Sequence, residues 1–143
     1  MALALVSVAI LSVLALSISV ARMNQESVDQ GVGGLVATQI LDGLVEKMRA
    51  DPSGPLRRDF LEEEHTSTPF AEGKVVNNGT EFEYEVFART VLNTDGDPVG
   101  GAIGRRLKKV DVVLSWWDSK DTQRQGYGKL QLTHSRLVGE AEL

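Results

Sequence analysis

The 143-residue sequence contains no cysteine and only two histidines, His65 and His134. The absence of thiols excludes disulfides and thiolate metal sites, and a histidine-based metal site would need carboxylates to complete it. Positive charge is also scarce, because 15 lysines and arginines stand against 20 aspartates and glutamates and leave a net charge of −5. A nucleic-acid-binding protein needs a basic face, so no nucleic-acid partner is expected.

The first 21 residues contain neither charge nor proline. About twenty helical residues at ~1.5 Å each reach across the ~30 Å hydrocarbon core of a bilayer. Because this run is apolar all round, it predicts a retained transmembrane helix over residues 1–21 and not a buried soluble helix. A cleaved secretory signal is the alternative, since Ser19-Val20-Ala21 resembles a cleavage site, but no basic residue precedes Arg22.

Residues 22–50 are predicted to continue the same helix as an amphipathic half. Within it the segment 31–34, GVGG, is a weak point that predicts a local break or a hinge, because each glycine costs a helix about 1 kcal/mol. Asp51-Pro52 ends the helix. An apolar stripe in the last part is typical of a helix that packs on a core by one face: Val36, Ile40, Leu44 and Met48, widened by Leu41 and Val45.

The rest of the sequence predicts a connecting region over residues 51–73, with one short helix opened by Pro55, and then strands. From Lys74 onwards, apolar residues recur at every second position, as in a strand. Asn78-Gly79 is the preferred centre of a two-residue hairpin turn. A polar turn is predicted over residues 118–126. The sequence therefore predicts an α+β fold in which the helix packs on a three- to four-stranded antiparallel sheet made by residues 74–143.

Three segments resemble proteins of the type IV pilin superfamily. Residues 1–12, MALALVSVAILS, resemble the apolar start of the pilin helix, and residues 44–52, LVEKMRADP, resemble the helix end of PilV-type minor pilins, the pilus-modification group. Residues 109–117 together with 130–133 resemble the ending shared by those minor pilins and the I-type minor pseudopilin of type II secretion. The resemblance spans most of the chain and implies a pilin-like fold with a transmembrane half and an amphipathic half of one long helix.

This resemblance implies a non-enzymatic minor pilin that contributes to assembly or initiation of a type IV pilus through its N-terminal helix. The implied partners are other pilin or pseudopilin subunits, and inner-membrane lipid before assembly. The implied location is the bacterial inner membrane, crossed once, with the C-terminal domain extracytoplasmic, followed by a pilus or a periplasmic pseudopilus. A minor pseudopilin of type II secretion and a signal-anchored periplasmic binding module are the two alternatives.

Family members also carry a basic leader that ends in glycine, and a glutamate five residues into the mature chain. Leu5 stands at the place of that glutamate if Met1 is the first mature residue. We therefore expect the leader, the glycine and the glutamate to be encoded in frame upstream of Met1. Processing by a prepilin peptidase, with methylation of the mature end, belongs to this expectation.

No catalytic, cofactor-binding or metal site is predicted, although two segments offer oxygen ligands. Residues 93–97, NTDGD, resemble a calcium loop, but Pro98 occupies the sixth place, where an EF-hand loop needs glycine. Residues 62–64, three glutamates, precede His65 and could bind a metal, but they are interpreted as a solvated helix face.

Three further segments each suggest a function, and each also has a simpler structural explanation. Asn78-Gly79-Thr80 matches a glycosylation sequon, which the hairpin turn explains fully. Trp116 and Trp117 face opposite sides of one strand, so one is predicted in the core and the other at a contact surface. The basic cluster of residues 105–109, RRLKK, is predicted to be a solvated strand entry, with binding of an anionic partner as the alternative.

Overall fold

The computed structural model describes residues 2–100, 106–117 and 129–143, and the side chains of residues 14–20, 30–100, 106–117 and 130–143. Two α-helices, four strands and a short 3-10 helix follow one another along the chain: α1 (Ala2–Ala50), α2 (Pro55–Glu62), β1 (Ala71–Asn77), β2 (Thr80–Thr90), β3 (Leu107–Trp117), β4 (Lys129–Gly139) and the 3-10 helix Glu140–Glu142. The chain divides into two compact units, Met1–Val32 and Gly33–Leu143. The predicted turn over residues 118–126 lies outside the described residues.

The predicted fold class, a pilin-like layout whose helix begins with a transmembrane half, is contradicted by the structure. Among the described residues, no helix is sufficiently long and apolar to cross a membrane. A span needs about 20 consecutive, mostly apolar residues. The described stretch 30–50 of α1 carries Asp42, Glu46, Lys47 and Arg49. The predicted single pass through the inner membrane is contradicted by the same finding.

The four strands form one antiparallel sheet in the order β1-β2-β3-β4. The turn between β1 and β2 has positive φ at both central residues, 50° at Asn78 and 82° at Gly79, as a two-residue hairpin of the predicted kind requires. Strand β1 begins at Ala71, three residues before Lys74, where the alternation in the sequence becomes visible. The sheet itself is therefore four-stranded, within the predicted range of three to four strands.

One face of the sheet is buried and we call it the inner face. Strand β3 alternates between buried and half-buried residues along its whole length, and the buried set begins with a lysine: Lys108, Val110, Val112, Leu114 and Trp116. Phe82 and Val86 of β2 lie on the same face, since they pair with Trp116 and Val112. This period of two places five consecutive alternate residues of β3 in the core.

The C-terminal part of α1 covers the inner face, but its buried stripe is offset from the predicted one. Ile40 and Leu44 are only half-buried. The centre of the stripe is formed by residues four apart that the sequence pattern placed at its edge or left out: Ala37, Leu41 and Val45, flanked by Val36 and Met48. Phe60 of α2 completes the same cluster.

The last residues of the chain are held against both helices and the start of β3. Arg49 donates two hydrogen bonds to the Glu142 carbonyl, and Arg57 donates one to the Leu143 carbonyl. The buried Glu140 carboxylate accepts hydrogen bonds from the Arg106 side chain and backbone N–H. These contacts fix the edge of the sheet at β4 to the helices that pack on it.

Candidate functional site

Residues 14–20 of α1, LALSISV, are all exposed. The exposed fraction is 54% for Leu14, 69% for Leu16, 57% for Ile18 and 50% for Val20. Seven consecutive residues make nearly two helical turns, so apolar side chains are presented around the helix and not along one stripe. A helix that is apolar all round is normally buried. This segment, which we call the exposed apolar helix segment, is therefore a candidate surface for assembly.

A second candidate lies where the chain passes from α2 towards β1, at His65. Its backbone forms an isolated antiparallel bridge with Ala88 of β2, through hydrogen bonds of 2.8 and 3.1 Å. The imidazole ring lies 5.2 Å from the Phe70 ring, centroid to centroid. The residue is 9% exposed, and its Nε2 atom is buried without a hydrogen-bond partner. The ring is thus fixed in position with one nitrogen unsatisfied.

One carboxylate lies beside this nitrogen, and a second lies near both residues. Asp59 Oδ2 lies 3.5 Å from His65 Nε2, beyond normal hydrogen-bond length. Glu63 follows Asp59 by one helical turn, and its backbone N–H donates to the Asp59 carbonyl at 3.0 Å. One ligand atom from each of the three residues lies within 4.8 Å of the other two. We call Asp59, Glu63 and His65 the His65 cluster.

Of the three glutamates that the sequence placed with His65, only Glu63 joins this cluster. Glu64 accepts hydrogen bonds from both the backbone N–H and the hydroxyl of Thr90, and it pairs with Lys108 Nζ at 3.2 Å. Partial burial raises the pKa of the Glu64 carboxyl, but the hydrogen bonds from Thr90 and Lys108 outweigh burial and hold the pKa below its ordinary value. Glu64 therefore has a structural role at the end of the inner face.

The calcium candidate at residues 93–97 is organised as a turn. The Asn93 side-chain oxygen accepts hydrogen bonds from the backbone N–H groups of Asp95 and Asp97, both at 2.9 Å. Gly96 has a φ of 87°, in the left-handed region. Because the Asn93 oxygen is occupied by the chain itself, the loop presents two exposed carboxylates and no organised ligand set.

The basic cluster is not a solvated strand entry as predicted. Arg106 pairs with Glu140 at 3.0 Å and Lys109 with Asp111 at 3.0 Å. Lys108 is only 1% exposed and donates to the Glu63 carbonyl at 2.8 Å. The described members of the cluster thus have acidic or carbonyl partners within the chain, and Arg105 lies outside the described residues.

The two tryptophans divide between the faces of the sheet. Trp116 is buried against Phe82, with ring centroids 5.3 Å apart, and Trp117 is half-buried on the opposite face. The core prediction is confirmed for Trp116, and a contact surface at Trp117 stays a prediction. The sequon Asn78-Gly79-Thr80 forms the hairpin turn, with Asn78 exposed and Thr80 buried.

No family model matches this chain, and neither does any curated protein or solved structure.

Two features of these sites were present in the sequence and were missed. Lys108 stands an even number of residues from Trp116, so the alternation of β3 places it on the buried face although it is charged. Asp59 lies in the last turn of α2 and Glu63 directly follows the helix, four residues later, a spacing that brings side chains close on a helix. Their approach to His65 depends on the bridge between His65 and Ala88, which joins residues 23 positions apart and has no local sequence signal.

Proposed function

We propose that this chain is a non-catalytic subunit that joins a filament of the type IV pilin kind by packing its N-terminal helix against the helices of other subunits. The observation that carries the proposal is the exposed apolar helix segment. The resemblance of residues 1–12 and 44–52 to minor pilins supports the same function.

The energetics favour several neighbours over one. Full burial of a Val, Leu or Ile side chain contributes about 1.5–3 kcal/mol. Since Leu14, Leu16, Ile18 and Val20 are 50–69% exposed, covering the exposed part of all four side chains contributes on the order of 3.5–7 kcal/mol by the same scale. Association costs an estimated 4–15 kcal/mol in lost freedom. One neighbour covers only part of this surface and gains less than association costs. Several neighbours around the helix cover all of it, and the gain then reaches the lower part of the range of that cost.

The exposure all round the helix points to the same geometry. A dimer covers one side of a helix and leaves the other in water, whereas these seven residues present apolar surface on every side. A bundle of parallel helices, as in a filament core, contacts a central helix from several directions. The partner that fits is therefore a group of similar apolar helices.

Site-specific cross-linking tests this assignment, because the chain has no cysteine and one introduced thiol is unique. We expect Leu16→Cys to cross-link to other subunits in assembled material. Gln39→Cys is the matched control, since it is an exposed position on the same helix outside the apolar segment. Equal cross-linking at both positions, or none at Leu16→Cys, would contradict assembly through this segment.

A charge placed in the segment tests function directly. Ile18→Asp would bury a carboxylate among apolar helices, at a cost of several kcal/mol, and should abolish incorporation. Gln39→Asp adds the same charge to the same helix and should assemble normally. Both variants should keep the thermal stability of the wild type. Complementation of a deletion strain measures assembly: restored piliation reports a pilus, and restored secretion reports a pseudopilus. Normal assembly by Ile18→Asp would refute the proposal.

A further inference from the structure

We propose that Asp59, Glu63 and His65 bind one divalent transition-metal ion, represented here by Zn²⁺, through His65 Nε2 and one oxygen of each carboxylate. The proposal is independent of filament assembly, since all three residues belong to the unit Gly33–Leu143.

The separations suit a metal ion. Zinc bonds to histidine nitrogen and carboxylate oxygen measure about 2.0–2.2 Å, so two ligand atoms of a tetrahedral site stand roughly 3.3–3.5 Å apart. His65 Nε2 and Asp59 Oδ2 are 3.5 Å apart. The three ligand atoms lie within 4.8 Å of one another. Glu63 is exposed, so its side chain is free to rotate towards the other two ligands by the ~1 Å that coordination needs. Two of the three ligands are thus already placed.

The unsatisfied nitrogen of His65 is the independent observation that points to a ligand. Buried polar side-chain atoms nearly always have a hydrogen-bond partner. His65 is 9% exposed, and its Nε2 has none although a carboxylate stands 3.5 Å away. A nitrogen held this way accepts a metal ion without first breaking a hydrogen bond, and the ion supplies its missing partner.

The ligands are held by rigid elements. The two hydrogen bonds with Ala88 fix the His65 backbone to the sheet, and Phe70 packs against the ring. The helical turn that joins Asp59 to Glu63 sets their spacing. Preorganised ligands of this kind are what a metal site on a scaffold requires.

The donor set selects the class of metal. One imidazole and two carboxylates suit Zn²⁺, Mn²⁺ or Fe²⁺, whereas Ca²⁺ prefers oxygen ligands alone and Cu⁺ prefers sulfur. Three protein ligands leave at least one coordination position for water.

The test is calorimetric titration of the full chain with ZnCl₂ after treatment with a chelator and exhaustive dialysis. We expect one Zn²⁺ per chain, a Tm raised by ~5 °C or more at saturation, and binding that millimolar Mg²⁺ does not displace. His65→Gln and Asp59→Asn should each weaken Zn²⁺ binding at least ~10-fold. Titration with Co²⁺ should give a visible absorption band in the wild type that both variants lose.

Two matched control variants test whether Zn²⁺ binding requires the His65 cluster and not a neighbouring carboxylate or the other histidine. Glu62→Gln removes the exposed carboxylate next to the cluster, and His134→Gln removes the second imidazole; both should bind Zn²⁺ as the wild type does. Because the Asp59 side chain is 44% exposed, Asp59→Asn should fold normally even if His65→Gln does not. Unchanged binding in Asp59→Asn, or equal weakening in Glu62→Gln, would overturn the assignment.

Discussion

Truncation of Leu41 to alanine tests whether the buried stripe of α1 holds this helix on the sheet. Leu41 is 2% exposed and lines, with Phe60 and Val110, a cavity of about 10 Å³. Loss of three carbon groups removes about 2.4 kcal/mol of transfer free energy at ~0.8 each. A residual cavity of ~50 Å³ adds about 1.2 kcal/mol. We therefore expect the free energy of unfolding to fall by about 3.5 kcal/mol.

Leu35→Ala is the matched control for this variant. Leu35 lies on the same helix and in the same compact unit, and the chemical change is identical, but the side chain is 67% exposed. Its truncation should change the free energy of unfolding by no more than ~0.5 kcal/mol. For a unit of this size, Tm should fall by about 14 °C in Leu41→Ala and by 2 °C or less in Leu35→Ala.

Urea denaturation followed by circular dichroism measures the free energy of unfolding of each variant, and thermal denaturation measures its Tm. The packing described here requires a large difference between two identical substitutions six residues apart. A loss in Leu41→Ala no greater than that in Leu35→Ala would show that the helix is not held on the sheet by this stripe. Equal, large losses in both would show instead that both positions are buried in solution.

Three further variants test two glycines of α1 and the response of stability to acid. Gly43→Ala should raise the free energy of unfolding by about 0.5–1 kcal/mol, because a new Cβ there meets no atom within 4 Å. Gly33→Ala should raise it less, because its Cβ would lie 3.3 Å from Leu132. Urea denaturation measures both changes. Because Glu64 has its pKa lowered in the folded state, its carboxylate adds stability above its ordinary pKa of 4.5 that is lost as the pH falls through the folded value. The Tm of the wild type should therefore drop more steeply below pH 4.5 than that of Glu64→Gln, and parallel curves would contradict this role.

The sheet could be predicted from the sequence because its signals are local. Alternation in β2 and β3 places Phe82, Val86 and Val112 on one face, and the structure buries all three. The Asn78-Gly79 turn follows from the backbone preferences of two residues. This turn also sets the register between β1 and β2, so two residues determine how both strands pair.

The helix was harder to predict because several stripes are compatible with its apolar residues. Val36, Ile40, Leu44 and Met48 fit a period of four, but a true helical period of 3.6 drifts from that series. Small Ala37 is buried at the centre of the contact, although its side chain adds little to any hydrophobicity pattern. Which face meets the sheet is decided by the fit to Trp116 and Val110, which the sequence of the helix does not contain.

The break or hinge predicted at residues 31–34 shows the same limit of local reasoning. The helix assignment continues through all four residues, yet the boundary between the two compact units falls between Val32 and Gly33. The predicted break is therefore wrong, and the hinge stays a prediction. Gly33 lies in contact distance of Leu132 and Trp116, so close approach of the helix to the sheet is a second reason for glycine there.

The two proposals use separate parts of the chain, and this makes each a control for the other. The exposed apolar helix segment lies in the unit Met1–Val32 and the His65 cluster in the unit Gly33–Leu143. We therefore expect substitutions at the two sites to have additive effects. Ile18→Asp should then lose assembly while it binds Zn²⁺ normally, and Asp59→Asn should lose Zn²⁺ while it assembles. Loss of both properties in Ile18→Asp would mean that metal binding requires the assembled filament. Loss of both in Asp59→Asn would mean that assembly requires the bound metal, since neither change alters a residue of the other site.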